Sequence, residues 1–141
     1  MYKYKQVRDN MYVLSLDNHV EVSAAIAAFC AEKGILAGNV MGLGAVSEAT
    51  FRFLDPNTLK YVDKTFTEQM EITNLTGNIS QKDGKPYLHL HATLCDANMQ
   101  THGGHVNELR ISATCEMVLR LLPGQVGRKL DDVTGLNVFD F

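Results

Sequence analysis

The 141 residues predict an α+β fold, a mostly antiparallel sheet carrying one principal helix. Three observations carry that reading. Only one stretch, roughly Val20 to Lys33, combines helical periodicity with helix-forming composition. Nearly everything after it reads as strand-like runs joined by short turns. The strand–helix alternation of a parallel sheet is missing. With no linker, internal repeat or low-complexity tract, residues 1–141 are expected to form a single domain.

The elements follow in chain order. Met11 to Leu16 (MYVLSL) reads as a first strand, broken by Asp17-Asn18. Asn18 and Glu21, three residues apart, predict a capping box at the start of the helix. Val22, Ile26 and Phe29 fall on one helical face, alanines fill much of the remainder, and Gly34 marks the stop. From Ile35 to Phe53 the chain is apolar and glycine-rich. A strand near Gly38 to Met41, a bulge or close backbone approach at Gly42-Leu43-Gly44, and a strand through Phe53 are expected. The turn Asp55-Pro56-Asn57 leads to a strand from Leu59 to Phe66. Met70 to Ser80 is a strand with apolar residues on both alternating sides, which implies that both faces are covered, one of them by a neighbouring subunit. Asp83-Gly84 predicts a tight hairpin into the next strand. Arg110 to Leu122 is a long strand ended by Pro123-Gly124, and Leu136 to Phe139 reads as a short final one.

Four of the five histidines lie between His89 and His105. Residues Tyr87 to Leu94 alternate apolar and polar, so His89 and His91 share one strand face while Leu88 and Leu90 take the other. After a loop from Cys95 to Thr101, the segment His102-Gly103-Gly104-His105 is expected to turn sharply and carry His105 back over the pair. Three neutral imidazoles converging in this way suit zinc, with the remaining coordination position left to water or substrate. Nickel, copper and iron accept the same donors. His102 competes with His105 for the third place. Thr93 and Cys95 share strand parity with the pair, although a small buried cysteine is the commoner role. Asp96 fits a turn better than a metal, and His19 belongs to the helix start.

These residues also carry a family likeness. HLHATL, then GGHV, then ATCEMVL resemble the plants-and-prokaryotes conserved (PPC) domain at His89, His91, Gly103, Gly104, His105, Val106, Thr114 and Glu116. Ala37 to Ala45 and Glu71 to Ile79 are similar to two further segments of that family. The resemblance implies the same α+β architecture, a homotrimer, contacts with other proteins and the histidine site. The family's DNA-binding label transfers poorly. Its plant members join the domain to a basic RGRP-type hook, whereas Gly127-Arg128-Lys129 is short and sits near two aspartates. The motif also resembles the zinc site of acetolactate decarboxylases, whose fold looks related. That makes a zinc-dependent lyase or hydrolase acting on a small oxo or hydroxy acid the alternative function. Glu116, Glu108 and Arg110 are the candidates to assist it, Glu116 also as an acceptor orienting a ligating imidazole.

Bulk properties narrow the classes further. Hydrophobic residues make up 45% of the chain, enough for a core, and the net charge is −3. An acidic balance without a basic run argues against direct nucleic-acid binding by this chain. Three scattered cysteines, Cys30, Cys95 and Cys115, imply no disulfide framework and suit a reducing cytoplasm. The first residues, MYKYKQVRDN, lack the apolar core of a signal peptide. The longest apolar run, Ala24 to Ala31, is too short to span a bilayer.

Overall fold

The computed structural model describes residues Met1–Phe141. Nine strands and one helix run in the order β1 (Tyr2–Arg8), β2 (Met11–Leu16), α1 (Val22–Lys33), β3 (Gly38–Asp55), β4 (Lys60–Phe66), β5 (Met70–Lys82), β6 (Lys85–Cys95), β7 (Thr101–Leu121), β8 (Gly127–Leu130) and β9 (Asn137–Asp140). The architecture is the expected α+β arrangement, with every strand in one sheet. No helix is long and apolar enough to cross a membrane.

The sheet is organised by its two longest strands. β3 has 18 residues and β7 has 21, and they pair antiparallel along most of their length. β3 also pairs with β5 and then β4, while β7 pairs with β2 and then β6. Because β6 pairs with β5 as well, strands β3, β5, β6 and β7 close on one another in a ring. Closure of this kind removes exposed edges from the central strands. One continuous apolar core, including Leu14, Val46, Leu75, Leu94, Ile111 and Leu119, lies on the inner face.

Helix α1 follows from local chemistry, but its start differs from expectation. Glu21, in extended conformation, is the cap: its carboxylate accepts from the backbone N–H groups of Ser23 (3.0 Å) and Ala24 (2.6 Å). Asn18 is not part of this cap. Its side-chain oxygen accepts from His19 N and Ala113 N, tying the segment before the helix to β7. Gly34 closes the helix in the left-handed conformation, as its position predicts. Phe29 is fully buried and meets the rings of Tyr2, Tyr4 and Tyr12 edge-on at 5.2–5.5 Å. Strand β1, for which the first residues give no clear pattern, thus exists because its tyrosines cover the helix. Tyr2 donates to Glu32 and Lys33 donates to Tyr4.

Strand β5 corrects a second expectation. Ile72 and Leu75 are both buried, although they differ in parity. A register shift between Ile72 and Asn74 adds one residue and swaps the faces. The two-sided apolar pattern therefore reflects a bulge, and it no longer argues for a covering subunit. Elsewhere the turn chemistry holds. Asp83 and Gly84 both have positive φ in the two-residue connection between β5 and β6. Register shifts surround Gly44 as expected for the glycine-rich stretch. The tail forms the expected short strand β9, which pairs with β8, and β8 was not apparent from the sequence.

A candidate metal centre

The histidine pair sits where strand parity puts it. In β6, Leu90, Ala92 and Leu94 are buried in the core, so His89 and His91 face outward. The third histidine arrives by a different route from the one expected. Gly103 and Gly104 do not form a turn; they lie inside β7, opposite Thr93 and Ala92. The reversal occurs earlier, at residues 96–100, where Asp96 accepts from Asn98 N and Gln100 N. His105 then falls directly across from His91. Cross-strand neighbours share a face, so pairing register alone aims it at the triad.

The glycines have a different use here. A Cβ on Gly103 would stand 2.4 Å from the carbonyl oxygen of Ala92. A Cβ on Gly77, in β5 on the other side of β6, would stand 2.3 Å from that of His89. Both flanking strands therefore press against the histidine strand at positions that exclude a side chain.

The three imidazoles form a nearly equilateral triangle. Ring centroids are 5.2 Å apart for His89–His91, 5.1 Å for His89–His105 and 5.4 Å for His91–His105. One nitrogen from each lies within 4.8 Å of the others, so the group could hold a metal ion. The other candidates are elsewhere. His102 pairs opposite Leu94 and also lines the cleft, but it packs on Phe66, binds Asp96 at 2.8 Å and is not one of the three converging donors. The Cys95 thiol donates weakly to the Asp96 carbonyl and is not one of the converging donors. Glu116 is exposed, eleven positions along β7 from His105, between Ser15 and Leu43 of the neighbouring strands. Within one chain it lies out of reach of all three rings, so the orienting role expected for it finds no support there. Glu108 and Arg110 pair with each other at 2.6 Å, and neither lines the cleft around the histidines.

That cleft encloses about 1350 Å³. Its charged groups are ones the sequence did not single out. Arg52 lies opposite His105 in β3, binds Asp63 through two hydrogen bonds of 2.8 Å and stacks over Tyr61. On the other side Arg128 of β8 stacks on Tyr87 and Phe139, with its carbon 4.7 and 4.4 Å from the ring centroids. No local motif marks either residue, because strands distant in sequence deliver them.

The electrostatics favour the neutral form at two of the three imidazoles, His89 and His105. Burial pushes His105 down to about 4, assisted by His89, His91 and Arg52 and opposed by Asp63. His89 is lowered too, first by burial, then by His91 and Arg128. Below the ordinary histidine value of about 6.5, an unfolded chain takes up protons that these folded imidazoles refuse. The metal-free fold should therefore lose stability as pH falls from about 6.5 towards about 4; below that the histidine contribution is spent, and further loss comes from carboxylates such as Asp63 and Asp96 whose pKa the fold lowers. A proton NMR titration of the ring resonances checks this; His105 titrating at or above 6.5 would contradict it.

Fold and site together define an α+β domain with three cleft-lining histidines that could hold a metal. The chain belongs to the Plants and Prokaryotes Conserved (PCC) domain family, whose model matches residues 4–123. It is 44% identical to a "putative dna binding protein" from Bacteroides thetaiotaomicron, with a TM-score of 0.96 over 100% of this chain and 98% of that one. A metal-containing protein from Archaeoglobus fulgidus is 32% identical, with a TM-score of 0.86 over 100% and 99% of the two chains. The bifunctional protein GlmU of a Synechococcus strain is 32% identical over 128 residues, 89% of this chain. The chain spans only 19% of that relative's length. Likeness in fold alone extends to acetolactate decarboxylase from Bacillus subtilis, 14% identical over 78% of this chain and 52% of that one, with a TM-score of 0.52.

Proposed function

We propose that this chain is a homotrimeric metal-binding domain that holds one zinc ion through His89, His91 and His105 and takes a small-molecule ligand at that ion. The observation that carries the reading is the imidazole triangle, whose nitrogens lie within 4.8 Å of one another in the lining of a cleft. Three neutral nitrogen donors match the three-histidine zinc sites that leave a fourth position to water or ligand. Zinc–nitrogen bonds are about 2.0–2.1 Å, so small rotations of the rings would bring the donors into range. The metal-containing relative supports the reading. The test is elemental analysis of protein purified without chelator or affinity tag, followed by zinc titration of the stripped protein. One equivalent per chain is expected, and protein that neither retains nor takes up a divalent ion ends the proposal.

The trimer has support from the outer sheet face. Val13, Val118 and Met41 line up as cross-strand neighbours on β2, β7 and β3, with Leu43 beside them. Their exposures of 38–60% leave a contiguous apolar row uncovered in the single chain. Light scattering should give three times the chain mass of 15.6 kDa, and Met41→Asp should lower it. A wild-type monomer at micromolar concentration would contradict the assembly. Direct DNA binding is not part of the proposal, despite the wording attached to relatives. With a net charge of −3, a gel shift should show no salt-sensitive complex.

A second reading is a zinc-dependent lyase or hydrolase acting on a small oxo or hydroxy acid in a cytoplasmic setting. The cleft favours it, because a metal able to polarise a carbonyl would sit beside cationic side chains. His89, His91 and His105 would hold the ion, and Arg52 and Arg128 would shape the charge around it. Turnover of a panel of such acids by zinc-loaded protein separates this reading from pure binding.

A further inference from the structure

The charge of the cleft is unbalanced in a way that specifies a ligand. Its lining includes three cations, Arg52, Lys64 and Arg128, and one carboxylate, Asp55. Asp55 accepts from the N–H of Asn57 in its own turn, and Arg52 is already paired with Asp63, which lies outside the lining. Arg128 has no carboxylate partner. Its three hydrogen bonds go to neutral acceptors: the Ser80 hydroxyl (2.7 Å), the Asn78 side-chain oxygen (2.7 Å) and the Asn137 carbonyl (2.8 Å). A guanidinium has five N–H groups, so two remain for a ligand. A divalent ion held by three neutral imidazoles would bring two further positive charges to the same cleft, and no carboxylate joins the triad. Partly desolvated charge of one sign calls for a counter-charge from outside the protein.

The wall gives the rest of the ligand. Leu54 and Tyr61 line one side of the cleft, and Tyr87, Val138 and Phe139 the other. Most of the second side comes from the β8–β9 hairpin, beyond residues 4–123 of the family model. The hairpin meets the sheet through a single parallel pairing, Gln81 with Gly127. Arg128 fastens it further by bonding to both Asn78 of β5 and Asn137 of β9. The residue that supplies the free cation therefore also positions the apolar wall.

We propose that the cleft binds a small monocarboxylate with an apolar or aromatic body. Its carboxylate meets the metal and the spare N–H groups of Arg128, and its body lies against the aromatic walls of β4 and the β8–β9 hairpin. This rests on the metal reading above and holds whether or not the ligand is turned over.

Cobalt(II) in place of zinc gives a visible spectrum that responds when a ligand enters its coordination shell. Protein loaded to one cobalt per chain would be titrated with 3-phenylpropionate, acetate and the neutral 3-phenylpropionamide. Phenylpropionate should shift the spectrum with an affinity about tenfold or more above that of acetate, as apolar contact in a pocket provides. The amide should leave the spectrum unchanged, and calorimetry on metal-free protein should show no binding. Arg128→Gln should weaken both carboxylates. Tyr61→Ala, which leaves the hairpin fastening intact, should narrow the preference over acetate without weakening acetate itself. Failure to load either cobalt or zinc overturns the metal reading and this inference with it. Loading with no preference for phenylpropionate, equal response to the amide, or equal binding without metal overturns this inference alone.

Discussion

His89→Ala, His91→Ala and His105→Ala should each lower zinc affinity by more than about a hundredfold, beyond the 10–100-fold that loss of a mere supporting group costs. The reason is the donor count. Three imidazoles supply all the protein's coordination, and no carboxylate or thiolate lies close enough to replace one. His102→Ala is the informative control. That ring is held by Phe66 and Asp96 and is not one of the converging donors, so affinity should stay within about threefold, the effect of a change that leaves donors intact. Zinc titration of stripped protein with a competing chelator measures all four. Loss of uptake in His102→Ala with uptake retained in His105→Ala would replace the third ligand. Zinc should also raise the melting temperature of wild-type protein, since saturation at about a hundred times Kd contributes about 2.7 kcal/mol. The three triad variants should lose that increment.

Phe29→Ala should reduce folding stability by about 3–5 kcal/mol, the usual result of removing a fully buried aromatic ring. Phe29 is the contact through which α1 holds β1 and β2, by way of Tyr2, Tyr4 and Tyr12. Its loss leaves a cavity and removes three edge-on aromatic contacts, each worth about 0.5–1.5 kcal/mol beyond area alone. A domain of this size has roughly 5–15 kcal/mol in total, so the melting transition should fall by many degrees at fixed protein concentration. Phe141→Ala is the comparison: that ring is 99% exposed, and the transition should not move. Urea or thermal unfolding followed by circular dichroism decides between them. A change under about 1 kcal/mol for Phe29→Ala would mean that the aromatic cluster contributes little.

Much of the fold was legible because its signals are local. The span from Val22 to Lys33 announces itself by apolar spacing and the Gly34 stop, and Asp83-Gly84 by the turn geometry it permits. The outward aim of His89 and His91 needs only the two-residue period of a strand. What was misread involved partners distant in sequence. Glu21 rather than Asn18 caps the helix, because Asn18 is engaged by Ala113 of β7. The bulge between Ile72 and Asn74 appears only against β6. Glu116 shares a strand with His105, yet length along that strand puts it out of reach.

The sequence by itself determined the α+β class, the helix, the histidine strand and three donors of the right chemistry, since composition and periodicity act over a few neighbouring residues. Only the tertiary structure decided how the third donor arrives. His105 is placed by register against His91 rather than by a glycine turn, and the glycines serve to bring strands close. It alone placed Arg52 and Arg128 on either side of the triad, from β3 and from a hairpin whose pairing leaves no local mark. Backbone pairing between distant segments depends on how the whole sheet closes, and no short window of residues contains that information.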